Sequence, residues 1–149
     1  MISEVASWAS SDGVRRSMRS NRRRDTGPEL ALRREAHRLG LRYFVDKAPL
    51  PELARRRADL VFSRLKVAVY LDGCFWHGCP EHYTVSKTNA DFWATKVKKN
   101  RARDADTNRR LEEAGWTVIR VWEHEDPAVA AAGIKKVVEK AKKDRPKNR

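Results

Sequence analysis

Residues 58–73, ADLVFSRLKVAVYLDG, constrain the fold more than any other stretch of this chain. Two short runs rich in Val, Leu and Phe are joined by Ser63-Arg64-Leu65 and end at Gly73. Runs of this length and composition read as strands. The first run contains a carboxylate, Asp59. A charge in an apolar strand is costly unless it is paired or bound to a metal. Asp59 therefore either sits at a strand edge, satisfied by a backbone amide or an arginine of ARRR, or it is a ligand for Mg²⁺. That ion is commonly held by one or two carboxylates together with water and phosphate oxygens.

The flanking segments supply the rest of a mixed α/β domain. Thr26-Gly27-Pro28-Glu29 opens a helix, with Pro28 in its first turn. Leu30, Ala31, Arg34 and His37 fall near one stripe of that helix, His37 as a packed residue, and Gly40 closes it. The segment from Arg42 to Arg57 is extended and then loop, punctuated by two prolines. A long helix is expected over about Ala90 to Ala114, a third core strand in WTVIRVWEHE, and a last amphipathic helix with a basic face in PAVAAAGIKKVVEKAKK. The order of helix, strands, long helix, strand and helix implies helices packed on a small sheet. No internal repeat is visible.

The charge balance points to a partner. With 33 Lys and Arg against 20 Asp and Glu, the 149 residues carry a formal net charge of +13. Such an excess suits a polyanion, nucleic acid ahead of an anionic membrane surface. No apolar run reaches bilayer length, and the N-terminus has no apolar core of signal-peptide length. The expected compartment is the cytoplasm, with nucleoid association through DNA. A disulfide is disfavoured there, so the two cysteines bind metal, catalyse or pack.

The long helix carries polar residues on its inner face. Alternating steps of four and three give Trp93, Val97, Asn100, Asp104, Thr107, Leu111 and Ala114. A purely structural helix would fill the middle of that stripe with apolar residues. Asp104 either pairs with one of the many arginines or orients an imidazole, the role of the carboxylate in a His-Asp pair. The nearest candidate is His77.

His77 lies in DGCFWHGCPEHY, residues 72–83, which holds both cysteines and two of the four histidines. Cys74, Cys79 and His82 have plausible spacing for zinc, which takes four Cys or His ligands in a structural site. The fourth would be His124, at the end of the third core strand, or His77. The alternative is a pair of reduced, packed cysteines. Phe75 and Trp76 are adjacent, so extended backbone points them in opposite directions. Both can join the core only awkwardly. Beside a basic surface they can instead wedge between bases, where stacking returns about 1–3 kcal/mol per base. Opening the step costs a few kcal/mol, least where pairing is already weak.

DGCFWHGCPEH, followed by FW, K, N, RD, GW and VWE, and preceded by MRSNRRRDTGPEL, resembles the very short patch repair (Vsr) DNA mismatch endonucleases. The likeness runs from about Arg16 to about Glu125. It implies a core related to restriction endonucleases, with a small central mixed sheet, flanking helices and a structural zinc. It implies a Mg²⁺-dependent enzyme that nicks duplex DNA beside the thymine of a T·G mismatch. The expected organisation is a basic arm over residues 1–24, a Vsr-like endonuclease domain over 25–141 and a frayed basic tail over 142–149. A monomer would suffice for a single nick.

Carried over by motif, Asp59 binds Mg²⁺ together with the backbone carbonyl of Leu71. His77 is the catalytic histidine, Asp104 its partner, and Glu29 lies near the metal waters. Phe75, Trp76 and Trp93 intercalate, and Met18 probes the opposite groove. Arg19, Asn21, Arg22, Arg23, Arg24 and Asn100 meet DNA. Two departures stand out. The family usually has cysteine after VWE, where this chain has His124, so the zinc set becomes Cys74, Cys79, His82 and His124. The Glu-x-Lys half of the restriction-nuclease signature is replaced by Asp72-Gly73-Cys74, and the family's histidine takes over the role of the lysine. The competing functions are a zinc-stabilised DNA-binding module without catalysis, and a nuclease acting on intact duplex.

Overall fold

Four strands lie side by side in chain order: β1 (Phe44–Lys47), β2 (Ala58–Phe62), β3 (Val67–Asp72) and β4 (Thr117–Trp122). The computed structural model describes residues 26–74 and 90–145. Strands β1, β2 and β3 form an antiparallel meander, whereas β4 runs parallel to β3. The turn from β2 to β3 is a single 3₁₀ turn, Ser63–Leu65, closed by Lys66 at φ 55°. The helices are α1 (Gly27–Arg38), α2 (Ala90–Glu113) and α3 (Pro127–Asp144). The architecture is α/β, as the order of elements implied. β1 is an additional strand, formed within the segment read as extended.

Alternation along the strands sorts the sheet into two faces. Val67 and Val69 of β3 and Val121 of β4 turn toward one core, which Leu32 and Ala36 of α1 and Ala131, Ile134 and Val138 of α3 complete. Ala68 and Tyr70 of β3 turn the other way and meet Val61 of β2 and Leu111 of α2. By the same alternation Asp59, Asp72 and Arg120 belong to the α2 face.

The helix ends follow from local chemistry. The hydroxyl of Thr26 accepts the backbone N–H of Glu29 at 3.4 Å and donates to Glu29 Oε2 at 3.0 Å, while Pro28 fills the first turn. Gly40, at φ +84°, ends α1. Asp126 caps α3 by accepting from Ala128 N at 2.8 Å.

The inner face of α1 differs from the expectation. Leu32 and Ala36 are buried, whereas Leu30 is 42% exposed and Arg34 and His37 face solvent. The stripe of Leu30, Ala31, Arg34 and His37 is therefore corrected to one centred on Leu32 and Ala36. The reason is tertiary: α1 packs on α3 as well as the sheet, and Leu41, just past Gly40, is buried in the same core. On α2, Trp93, Val97, Thr107 and Leu111 are buried and Asn100 and Asp104 half-buried, as the four-and-three stepping predicts. Ala114 is a correction: the helix stops at Glu113 and Ala114 is exposed. Among the described residues no helix is long and apolar enough to cross a membrane.

Candidate active site

Between the sheet and the polar middle of α2 lies an open cleft of about 280 Å³. It exists because Leu111 seats one half of α2 on the sheet, while Asp104 and Asn100 put polar groups where packing would otherwise continue. Asp59, the Leu71 backbone, Asn100 and Asp104 all line it. These residues are up to 45 positions apart in the chain, yet each was singled out from sequence. Arg55, Arg56, Arg57 and Arg103 line the same cleft, giving an acidic floor a basic rim.

Asp59 is the centre of that floor. Its Oδ2 accepts the Leu71 backbone N–H at 2.6 Å. Burial pushes its carboxyl up to about 6, with the nearby charges of Glu29 and Asp72 adding to the rise. The Leu71 hydrogen bond and Arg33 oppose that shift without cancelling it. A buried carboxylate beside two others is an environment that favours a cation. In a strand, a residue's N–H and C=O leave on the same edge. The Leu71 carbonyl therefore leaves on the Asp59 side, while its side chain packs against the α1–α3 core. Among the described residues no three His, Cys, Asp or Glu side chains form a metal cage. One carboxylate, a backbone carbonyl and water make a different donor set, which Mg²⁺ accepts.

Glu29 contributes its field to Asp59 but is itself held, its Oε1 accepting from Arg33 at 3.2 Å. Asp104 lies 3.4 Å from Arg120 Nη1, so the arginine partner anticipated for it exists. Trp93 is buried, at 5% exposure, in edge-to-face contact with Phe92, and Phe92 is the exposed ring of the two. In this conformation Trp93 is a packing residue.

At the ends of β3 and β4, Cys74 Sγ and His124 Nδ1 approach to 3.2 Å. Glu123 fastens the same corner: its N–H donates to the Asp72 carbonyl at 3.0 Å, and its Oε1 accepts from Cys74 N at 3.1 Å. Two ligands on one tetrahedral zinc would be about 3.5 Å apart for ordinary Zn–S and Zn–N bonds. The pair fits half of a zinc site. Cys79 and His82 lie outside the described residues, as do His77, Phe75, Trp76, Met18, Arg19, Asn21, Arg22, Arg23 and Arg24.

Of the residues lining the cleft, Tyr70, Arg103 and Arg120 have no role in the sequence reading, and Asp72 appears there only in place of the Glu-x-Lys signature. Asp72 is buried, and its Oδ1 accepts from Arg120 Nη1 at 3.0 Å. Arg120 also donates from Nε to Asn108 Oδ1 at 2.9 Å, and its guanidinium carbon lies 4.3 Å from the centre of the Tyr70 ring. The signal was present: Arg120 is a charge inside the apolar strand TVIRVW, the same anomaly that exposed Asp59. The cleft's back wall is cross-linked by hydrogen bonds. Tyr70 Oη donates to the Arg56 carbonyl at 3.1 Å, and Arg56 in turn binds Asp106 and, at 3.2 Å, Thr107. Burial raises the Tyr70 phenol to about 12, so it stays a neutral donor.

Residues 11–83 match the family model described as DNA mismatch endonuclease Vsr. The chain is similar to the type II nicking enzyme V.NaeI of Lentzea aerocolonigenes, 45% identical over 123 residues that cover 82% of this chain and 74% of that protein. It is similar to the type II nicking enzyme V.NmeDIP of Neisseria meningitidis serogroup C, 36% identical over 113 residues, covering 74% of each. It is also similar to the DNA mismatch endonuclease Vsr of Escherichia coli (strain K12), 36% identical over 109 residues, covering 72% of this chain and 67% of that protein.

Proposed function

Since this chain belongs to the Vsr family of DNA mismatch endonucleases, we propose that it is a Mg²⁺-dependent nicking enzyme that hydrolyses the phosphodiester beside the thymine of a T·G mismatch in duplex DNA. The observation that carries this reading is the convergence of Asp59, the Leu71 backbone, Asn100 and Asp104 on one cleft with an arginine rim. Asp59 and the Leu71 carbonyl would hold Mg²⁺, which supplies charge neutralisation at the scissile phosphate when bound.

The chain's own residues do the rest. Arg55, Arg103 and the arm residues Arg19, Asn21, Arg22, Arg23 and Arg24 bind phosphates and set the register of the duplex. Asp104 orients His77, which takes a proton from the attacking water. Glu29 orders water near Asp59, and Asn100 meets the DNA beside it. Phe75, Trp76 and Trp93 enter the base stack at the mismatch, with Met18 in the opposite groove. Trp93 must leave its buried position to do so. Zinc held by Cys74, Cys79, His82 and His124 would brace the loop that carries His77 and the aromatic wedge. A monomer with one cleft makes one nick.

The test is a nicking assay on end-labelled duplexes that differ only in T·G against T·A, with Mg²⁺ or EDTA. Mg²⁺-dependent nicking of the T·G duplex alone, abolished in Asp59→Ala, is the expected result. Equal cutting of both duplexes would make the protein a nuclease of intact DNA. Tight binding with no cutting would make it a DNA-binding module.

A further inference from the structure

We propose that Arg120 is a positioning residue for the nicking reaction, acting through Asp104. The inference rests on the role proposed above for Asp104 and extends it to a residue on a different strand. A single guanidinium nitrogen, Nη1, lies 3.0 Å from Asp72 Oδ1 and 3.4 Å from Asp104 Oδ1. The side chain is 20% exposed and that of Asp72 8%, so solvent screens these contacts less than surface pairs. Two carboxylates this close repel unless a cation stands between them. Arg120 is that cation.

The contacts also fix orientation. Nε donates to Asn108, one helical turn beyond Asp104 on α2, and the guanidinium carbon lies 4.3 Å from the centre of the Tyr70 ring. Arg120 thus grips α2 at two successive turns and β3 at Asp72. It does so where α2 lacks apolar packing, beside half-buried Asn100 and Asp104. Elsewhere along α2 Leu111 makes the contact with the sheet, against Val61, Ala68 and Tyr70. At the cleft it is made by this fork. A lysine would supply the charge but neither the plane nor the second donor.

The experiment compares Arg120→Met, Arg120→Lys, Asp104→Asn, the double variant Arg120→Met/Asp104→Asn and Asp59→Ala. Single-turnover nicking is measured with Mg²⁺, and the Kd for the T·G duplex with Ca²⁺ in its place. Arg120→Met should nick about 10- to 100-fold more slowly, the scale expected when a reacting group is misplaced by about 1 Å. Its Kd should stay within about threefold of wild type, because Arg120 faces carboxylates rather than phosphates. Arg120→Lys should recover part of the rate. The double variant should be no slower than Asp104→Asn alone, since Arg120 works through that carboxylate.

Rate losses that multiply in the double variant would overturn the proposal, as would a wild-type rate in Arg120→Met or a Kd loss matching the rate loss. If Arg120→Met fails to fold, Arg120→Lys/Asp104→Asn set against Asp104→Asn makes the same comparison. Asp59→Ala separates the two levels. Wild-type nicking by Asp59→Ala would overturn the nuclease cleft itself and this proposal with it. An inactive Asp59→Ala beside an unimpaired Arg120→Met would overturn only the role of Arg120.

Discussion

The Asp59 carboxylate accepts the backbone N–H of Leu71 at 2.6 Å, across the end of the β2–β3 ladder. A side chain here does what a backbone carbonyl does one step earlier in the sheet. The arrangement holds Asp59 in place although burial works against its charge, raising its carboxyl to about 6.

That rise has a sign. The unfolded chain ionises Asp59 near the ordinary carboxylate value, and the folded chain only near 6. The folded state therefore binds the proton more tightly, and stability falls as pH rises from about 4 through 6. Asp59→Asn keeps an oxygen for Leu71 and removes the charge. In metal-free protein it should be more stable than wild type at pH 8 by about 1–3 kcal/mol, with the gap closing below pH 4. Urea unfolding at both pH values checks this. A constant gap, or none, would mean Asp59 is not strained by burial.

His124 should decide the metal content. The purified protein is expected to carry one zinc per chain, His124→Cys to retain it and His124→Ala to lose it, with a lower Tm. Elemental analysis of the three proteins after dialysis makes the comparison. Equal zinc in wild type and His124→Ala would remove His124 from the site.

Leu111 anchors α2 beside the cleft, at 1% exposure against Val61, Ala68 and Tyr70. Leu111→Ala should cost about 2–5 kcal/mol in denaturant unfolding, the range for a cavity in a close-packed core. A loss below about 1 kcal/mol would show that α2 is held mainly by its polar contacts.

Phe92 and Trp93 are neighbours with opposite fates. Trp93→Ala should destabilise the protein by about 3–5 kcal/mol, and Phe92→Ala, at an exposed ring, by less than about 0.5 kcal/mol. Thermal or urea unfolding of both variants tests this. Equal losses would contradict the burial of Trp93. Trp93→Phe is then the better probe of mismatch discrimination, because it leaves most of the packing intact.

The strands from Ala58 to Asp72 were legible because their apolar runs are continuous and bounded by polar punctuation. The inner face of α2 was legible because a polar interruption in an apolar stripe is itself a signal. The stripe of α1 was misjudged. A short helix wedged between sheet and α3 is chosen by what it packs on, and Arg34 and His37 mimic a face without occupying one. The pairing of Arg120 with Asp72 was not legible for another reason. Each is a charge within an apolar strand, but that they meet depends on β3 and β4 being neighbours, which neither segment states. The closeness of Cys74 to His124 was expected only through the zinc set, and the parallel register of β3 and β4 supplies it independently.

That parallel pairing also sets an order in time. Strands β1 to β3 are chain neighbours and can zip as soon as they are made, but Val67 must wait for Thr117, roughly 50 positions later. Closing so long a loop is slow, and contacts across it form late. The Asp72–Arg120 bridge and the Cys74–His124 approach both lie across that seam. A chain interrupted before β4 has Asp59 and α2 but lacks Arg120, which bridges Asp72 and Asp104. The Arg120 side of the cleft thus hangs on the most distant strand pairing in the sheet.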